Sequence, residues 1–184
     1  SFQLEPTVPY EAERAYQPGS NVLETTFATA EGRVRVTDAM TLSDSTRISP
    51  MRELVRKVEA LAGTVPLRWR FEPRFGYARA DTRIDHRAGR WFASAGADGI
   101  ALGVFGAENG TLRGDAVEGE LHLEQGGSAL LSLAGASREP AVIPGRDDAA
   151  RRLQRTMRFW PTWAARSQYD GPWGEAVTRS ALAL

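Results

Sequence analysis

The segment Val65–Glu72 alternates large apolar and charged side chains from Leu67 onward, and this pattern constrains the fold more than any other in the chain. Leu67, Trp69 and Phe71 point to one side, and charged residues point to the other. A period of two predicts a β-strand with one buried face. Burial of these three side chains contributes about 1.5–3 kcal/mol each, before the entropy cost of ordering the strand.

Short segments of the same kind recur along residues 1–135. In Arg33–Thr37, for example, two valines face a core while the arginines face water. Further strands are predicted at Val22–Thr29, Arg90–Ser94, Ile100–Phe105, Val117–Leu123 and Ala129–Leu133. Turns are predicted at Glu31-Gly32, Asp98-Gly99, Asn109-Gly110 and Gly126-Gly127. Many short strands at this spacing predict a β-sandwich or a β-barrel.

The segment Met51–Leu61 is ambiguous. Leu54, Val55, Val58 and Leu61 have helical spacing, yet the same residues also fit a twisted strand. We favour a strand because the neighbouring segments are strands and Gly63 follows.

The pattern changes near Pro140. Glu139–Gly145 is typical of a linker, and Asp147 or Asp148 is expected to cap a following helix. Pro161 falls inside this helical pattern and predicts a kink or a break, because it removes a backbone donor. The apolar stripe of the helix consists of Leu153, Met157, Trp160 and Ala164.

A second helix is predicted at Gly174–Leu184, after a turn at Tyr169–Trp173. No capping residue follows Leu184, so we expect the native polypeptide to continue beyond it. The expected apolar stripe of this helix is made of Ala176, Val177, Ser180, Ala181 and Leu184.

The composition excludes several classes of function. Basic and acidic residues both number 23, so the formal net charge is zero, which argues against a nucleic-acid partner. The chain has no cysteine, which excludes disulfides and thiolate metal sites. It has no apolar run of about 20 residues and no signal-peptide pattern, so we expect no membrane partner and a cytoplasmic location.

The motifs of common catalytic and metal sites are absent from the sequence. No HExxH, GxSxG or GxGxxG pattern is present, and His86 and His122 are the only histidines. Glu24 and Asp38 stand out because they lie within apolar strands; for Glu24, pairing with an arginine is expected rather than proton transfer. We therefore predict no catalytic residue, no cofactor-binding residue and no metal ligand in this chain.

Aromatic residues deserve a separate comparison, because sugars stack on them. Core or interface packing is the expected role of the tryptophans, including Trp91 and Trp173, whose surroundings are less constrained by pattern. Arg74, Phe75 and Tyr77 form the strongest polar and aromatic cluster, for which we expect a position at a domain interface.

Three stretches carry motifs of a known family. They are, in chain order, Tyr16–Phe27 with Arg33–Met40; Leu54–Glu59 with Gly63 and Glu72–Tyr77; and Phe159-Trp160, Trp163-Ala164 and Tyr169–Trp173 with Glu175–Val177 and Arg179–Leu182.

Together these stretches resemble the N-terminal part of the bacterial glucoamylase-like and trehalase-like enzymes of glycoside hydrolase family 15. The resemblance implies a mainly β fold: an antiparallel β-sandwich of the supersandwich type, then a linker helix, then the first helix of an (α/α)6 barrel. Residues 1–138 would form the sandwich, incomplete at its N-terminus; residues 139–168 the linker with its helix; and residues 169–184 the start of a truncated barrel. Pro161 and Gly174 depart from the family pattern, which favours helix at both positions.

The resemblance also implies a function. Family members are inverting hydrolases of α-glucosides such as trehalose or malto-oligosaccharides, and their catalytic glutamates lie in the barrel. The expected role of this chain is structural support of that barrel, its partner within the same polypeptide, which would bind the carbohydrate. A free-standing carbohydrate-binding or protein-interaction β-sandwich is the alternative. Without a barrel, residues 146–184 are expected to expose apolar surface, which favours homo-oligomers or mobility.

Overall fold

A computed structural model describes residues 1–43, 51–139, 142–166 and 169–183. Strands dominate these residues, and two helices follow them. The strands are β1 (Phe2–Pro6), β2 (Glu11–Tyr16), β3 (Leu23–Ala28), β4 (Gly32–Met40), β5 (Arg52–Gly63), β6 (Val65–Phe71), β7 (Arg83–Arg87), β8 (Arg90–Ala95), β9 (Asp98–Phe105), β10 (Thr111–Arg113), β11 (Ala116–Leu123) and β12 (Ser128–Ser137). The helices are α1 (Arg146–Ala164) and α2 (Gly174–Ala183), and a short 3₁₀ turn occupies Phe75–Ala78.

The strands form two antiparallel sheets. The smaller sheet has the order β1-β6-β11-β10, and the larger has the order β2-β3-β4-β5-β12-β9-β8-β7. The prediction of a mainly β sandwich followed by a helix is confirmed, and so is the strand assignment for Met51–Leu61, which lies largely in β5. None of the described helices is both long and apolar enough to cross a bilayer.

Strands β4, β6 and β12 all run toward the same end of the sandwich, which we call the Met40 end. Phe2 pairs with Phe71 there, at the end of β6. From the larger sheet, the guanidinium of Arg56 lies 4.5 Å from the centre of the Phe2 ring, and its Nη1 donates to the Phe2 carbonyl at 3.3 Å. These contacts join the two sheets at this end.

The alternation in β6 builds the core as predicted. Leu67, Trp69 and Phe71 are buried between the sheets, where they pack with inward residues of the larger sheet such as Val58 and Leu102. A second apolar cluster lies on the outer face of the larger sheet, beneath α1. Its buried members are Val22, Ala39, Val55, Leu130, Ala149 and Leu153.

Two predicted turns are wrong in detail. Asp98-Gly99 lies within β9, because the hairpin already closes at Gly96, where φ is +60° and Ala95 pairs with Asp98. Asn109-Gly110 lies in the connection between β9 and β10, which belong to different sheets, so it is no hairpin turn.

Helix α1 also corrects the sequence analysis. Its N-cap is Gly145, so Asp147 and Asp148 lie inside the first turn, where their charges favour the helix dipole without capping it. The helix continues through Pro161 to Ala164, so the break expected at the proline does not occur. One helical turn follows Pro161. The Ala165 amide closes this turn by donating to the Pro161 carbonyl at 3.0 Å. Pro140 and Ala141 of the predicted linker lie outside the described residues.

Gly119 provides a test of the sandwich core. It pairs with Trp69 across the smaller sheet, and a Cβ at this position would lie 2.6 Å from atoms of the buried indole. We expect Gly119→Ala to lower the free energy of unfolding by about 1–3 kcal/mol, because the core has no room for the indole to move. Urea unfolding measures this. Gly99→Ala, in a strand position with ordinary contacts, is the control; equal effects would contradict the close fit at Trp69.

Candidate functional site

The most deeply buried charge in the described part of the chain is Glu53 of β5, on the sheet face that α1 covers. Arg152 of α1 donates from Nε and Nη2 to its two carboxylate oxygens, at 2.7 and 2.9 Å. The hydroxyls of Thr41 and Ser132 donate to the same oxygens at 2.6 and 2.8 Å. The carboxylate is therefore held by four hydrogen bonds from three elements of the fold.

This environment decides the charge state of Glu53. Burial alone raises its pKa, but the hydrogen bonds from Arg152, Thr41 and Ser132 and the charge of Arg152 together hold the pKa below its ordinary value of 4.5. A general acid needs a raised pKa, so this carboxylate has the properties of a structural anion. Glu53 was not among the predicted site residues, because it lies at the edge of the ambiguous segment Met51–Leu61. Its position two residues before Val55, on the same face of a strand, was the available signal of burial.

The two acidic residues that the sequence did single out are also paired. Glu24 accepts a hydrogen bond from Gln17 Nε2 at 3.0 Å and lies 3.8 Å from Arg35 Nε. Asp38 accepts two hydrogen bonds from Arg56, at 2.7 and 3.0 Å. The expected pairing of Glu24 with an arginine is confirmed.

The two histidines lie in different sheets. His86 of β7 lies with its ring centre 4.5 Å from that of Trp91, and His122 of β11 has its Nε2 atom 3.9 Å from Glu120. Among residues 1–43, 51–139, 142–166 and 169–183, no group of three or more His, Cys, Asp or Glu could hold a metal ion.

The tryptophans divide into buried and exposed ones. Trp69 and Trp91 are buried in the core, and Trp160 packs against the apolar cluster beneath α1, as expected for packing residues. Trp173 is 70% exposed. Its packing against further protein stays a prediction.

The predicted cluster of Arg74, Phe75 and Tyr77 does not form a common site. Arg74 is in ion pairs with Glu72 and Asp115, and the Phe75 ring packs against the core. Tyr77 is 97% exposed.

Two of the three motif stretches meet at the β2–β3 turn, residues 17–22. Asn21 Nδ2 donates to the Leu182 carbonyl of α2 at 2.6 Å, and Arg179 donates to the Ser20 carbonyl at 2.8 Å and to Asn21 Oδ1. The Arg179 guanidinium also stacks on the Tyr16 ring, 4.4 Å from its centre. Reciprocal hydrogen bonds of this kind hold α2 against the sandwich.

The same turn contacts the end of α1. Gly19 adopts a φ of +61°, and a Cβ there would lie 3.2 Å from the Ala164 side chain, so helix and turn approach closely. The β2–β3 turn therefore lies between the two helices and positions both at the Met40 end.

Helix α2 leaves most of its predicted apolar stripe exposed, as expected for this segment without a barrel. Leu182 is buried and Arg179 half-buried, whereas four members of the predicted stripe, Ala176, Val177, Ser180 and Ala181, are exposed. The polar contacts of the turn select this orientation. We call these four residues, together with the exposed Trp173, the helical face. Leu184, the last predicted member of the stripe, lies outside the described residues.

A groove of about 710 Å³ runs along α1, and Phe159 is among its lining residues. Its lining includes Arg151, Arg155 and Arg158, at successive turns of the helix, together with Thr162. The exposed surface of α1 along this groove is thus rich in arginine, one of which, Arg151, pairs with Asp148.

The chain is similar to trehalases along nearly its whole length. It is 30% identical over 200 residues to the trehalase of Mycobacterium tuberculosis, covering 93% of this chain and 28% of that protein. It is 30% identical over 213 residues to the trehalase of Mycolicibacterium smegmatis, covering 100% of this chain and 30% of that enzyme. It is 29% identical to the trehalase of Thermoplasma acidophilum, covering 100% of this chain and 31% of that protein.

The chain thus spans about 30% of the length of these relatives. No protein-family model matches it. Among solved structures, one described as a kojibiose phosphorylase from the human microbiome matches 99% of this chain and 27% of its own length. The TM-score is 0.47 and the sequence identity is 8%. The resemblance to trehalase-like enzymes is confirmed at the level of sequence similarity to one segment of trehalases.

The Glu53–Arg152 pair makes a prediction about stability. Glu53→Gln leaves Arg152 buried without a counter-charge, so we expect a loss of about 3–5 kcal/mol in the free energy of unfolding at neutral pH. Because the folded-state pKa of Glu53 lies below 4.5, its contribution is complete above that pH and is lost as the pH falls through the folded-state value.

The difference between wild type and Glu53→Gln should therefore shrink in urea unfolding below pH 4.5. Glu120→Gln, at an exposed position, is the control, for which a change within about 0.5 kcal/mol is expected. A constant difference across this range would show that the charge of Glu53 does not matter.

The contacts of the β2–β3 turn make a second prediction. Asn21→Ala and Arg179→Ala should each reduce hydrogen-exchange protection of the α2 amides, because each removes contacts that hold this helix. In a double-mutant cycle we expect a coupling energy of about 0.5–3 kcal/mol between them. Glu175→Ala, on the exposed side of α2, is the control. Additive effects of the two substitutions would contradict a shared contact.

Proposed function

We propose that this chain is the non-catalytic N-terminal portion of an inverting glycoside hydrolase that acts on α-glucosides, with trehalose as the first candidate substrate. The observation that carries the proposal is the similarity of nearly the entire chain to one segment of several trehalases. Membership of glycoside hydrolase family 15 is part of the proposal, and the three motif stretches support it.

The structure supports a scaffolding role. The two helices are anchored to the sandwich by buried or reciprocal polar contacts, through Arg152 on α1 and Arg179 on α2. Anchoring leaves the helical face turned outward, with Trp173 and Val177 exposed. Apolar surface of this kind is typical of contact with more protein. The proposed partner is an (α/α)6 barrel in the same polypeptide, and in its absence homo-oligomers would cover the surface.

The catalytic groups belong to that barrel in this proposal. Inversion requires a carboxylic acid and a carboxylate about 6.5–9.5 Å apart, with room for a water molecule. The acidic residues of the sandwich that stood out, Glu24, Glu53 and Asp38, are engaged by arginine or amide donors. Their arrangement suits structural ion pairs.

A direct test compares two proteins. The complete reading frame that contains this chain should hydrolyse trehalose, and proton NMR of the first product should show one glucose of each anomer, because inversion of an α,α-linkage yields β-glucose beside the released α-glucose. Residues 1–184 alone should release no glucose above a buffer control. Glucose release by the isolated chain, or a complete protein inactive on trehalose and malto-oligosaccharides, would contradict the proposal.

The outer face of the smaller sheet is the observation that favours the alternative of a binding module. A groove of about 620 Å³ on this face is lined by Glu5, Arg68, Arg70 and Glu118, among other polar residues. Most of these groups already pair with each other, for example Arg68 with Glu5 at 2.7 Å, which leaves few donors for a ligand. Sugar binding by the isolated chain, measured by calorimetry, would support this alternative.

A further inference from the structure

The Phe75–Ala78 turn has an unusual backbone. Gly76 and Tyr77 have φ, ψ values of 56°, 37° and 60°, 40°, and Ala78 has a φ of +64°. Residues with a Cβ visit this left-handed region rarely and singly, because Cβ approaches the following carbonyl oxygen. Two such residues in succession are under strain, which persists only where the surrounding structure imposes it.

The base of the turn is firmly held. Pro73 is buried, Phe75 packs against the core, and Arg74 forms ion pairs with Glu72 and Asp115. The amide of Glu72 donates to the Ser1 carbonyl at 2.8 Å, which ties this segment to β1. The sandwich therefore imposes the path of the turn from its base.

What the turn presents is an aromatic ring with no packing of its own. Tyr77 is 97% exposed, more than any other large apolar side chain in the described residues. Arg79 and Asp81 follow at exposed positions, and within the described parts of the chain neither forms an ion pair or a side-chain hydrogen bond. Other arginines near this turn, Arg70 and Arg74, are paired.

The position of the turn adds an independent argument. It follows β6 at the Met40 end of the sandwich, and the β2–β3 turn with α2 lies at that same end, because Leu23 at the start of β3 pairs with Asp38 near the end of β4. Protein that covered the helical face would thus stand at the end of the sandwich from which Tyr77 projects.

We propose that Tyr77, on this strained turn, contacts the sugar substrate and contributes to its binding, with Arg79 and Asp81 available for its hydroxyl groups. This inference rests on the proposed function. A tyrosine offers a flat apolar face and a polar tip, and the neighbouring guanidinium and carboxylate supply planar donors and acceptors. A ligand rich in hydroxyl groups on an apolar ring matches that set. Strain imposed at a position without internal packing is what a preorganised ligand contact requires.

The test uses the complete protein and trehalose kinetics. Tyr77→Gly removes the ring and relieves the strain, because glycine adopts this conformation freely. We expect it to raise KM about tenfold with kcat within about twofold, the pattern of lost substrate binding, while the thermal unfolding midpoint stays equal or rises. Ala78→Gly is the matched control: it makes the same backbone change one residue later and keeps the ring, so KM should stay near that of wild type.

The outcomes separate the two proposals. An inactive wild-type protein would contradict the proposed function itself. Active wild type with unchanged KM in Tyr77→Gly would overturn only the role of Tyr77. A lowered unfolding midpoint with unchanged KM would also overturn it, since that result means that Tyr77 packs against protein.

Discussion

The arrangement of the helices depends on one buried ion pair, between Glu53 of β5 and Arg152 of α1. A buried pair of this kind adds little net stability over apolar residues of the same volume, because desolvation offsets the attraction. The pair instead fixes the position of α1 along the larger sheet. If α1 shifted by one turn, Asp148 or Thr156 would lie where Arg152 lies. Asp148 would repel the carboxylate and Thr156 would leave it without a counter-charge, so only the observed register satisfies Glu53.

The position of α2 depends on the β2–β3 turn, which the end of α1 also contacts. Because Arg152 fixes α1 along the sheet, Ala164 at its end reaches Gly19 of the β2–β3 turn. The same turn holds α2 through Asn21 and Arg179. A sequence of polar contacts, each specific in geometry, thus sets the direction in which the helical face points. An apolar interface alone is non-directional, so these contacts supply the orientation that a scaffold needs.

The strands were predictable where a period of two coincides with burial on one face, as in β6, and the mainly β class followed. The assignment of strands to sheets was not predictable, because local pattern carries no information on pairing. Asn109-Gly110 therefore suggested a hairpin, although β9 and β10 belong to different sheets. The apolar stripe of α2 was predictable, but the contacts of Arg179 with Ser20 and Asn21 were not, because those residues lie about 160 positions away in the sequence. For Glu53, the one sequence signal of burial was its position two residues before Val55, on the same face of the strand.

The contrast between Glu53 and Tyr77 bears on where the molecule meets a ligand. Around Glu53 the carboxylate accepts hydrogen bonds from Arg152, Thr41 and Ser132, and most of the surrounding backbone is regular strand or helix. Contacts within the chain therefore account for this region. Around Tyr77 the backbone is strained and the side chain has no partner within the described chain, so packing within the described residues does not account for the exposed ring. Natural sequences agree across levels of structure except where function opposes stability. By that criterion the Phe75–Ala78 turn is where binding should be sought.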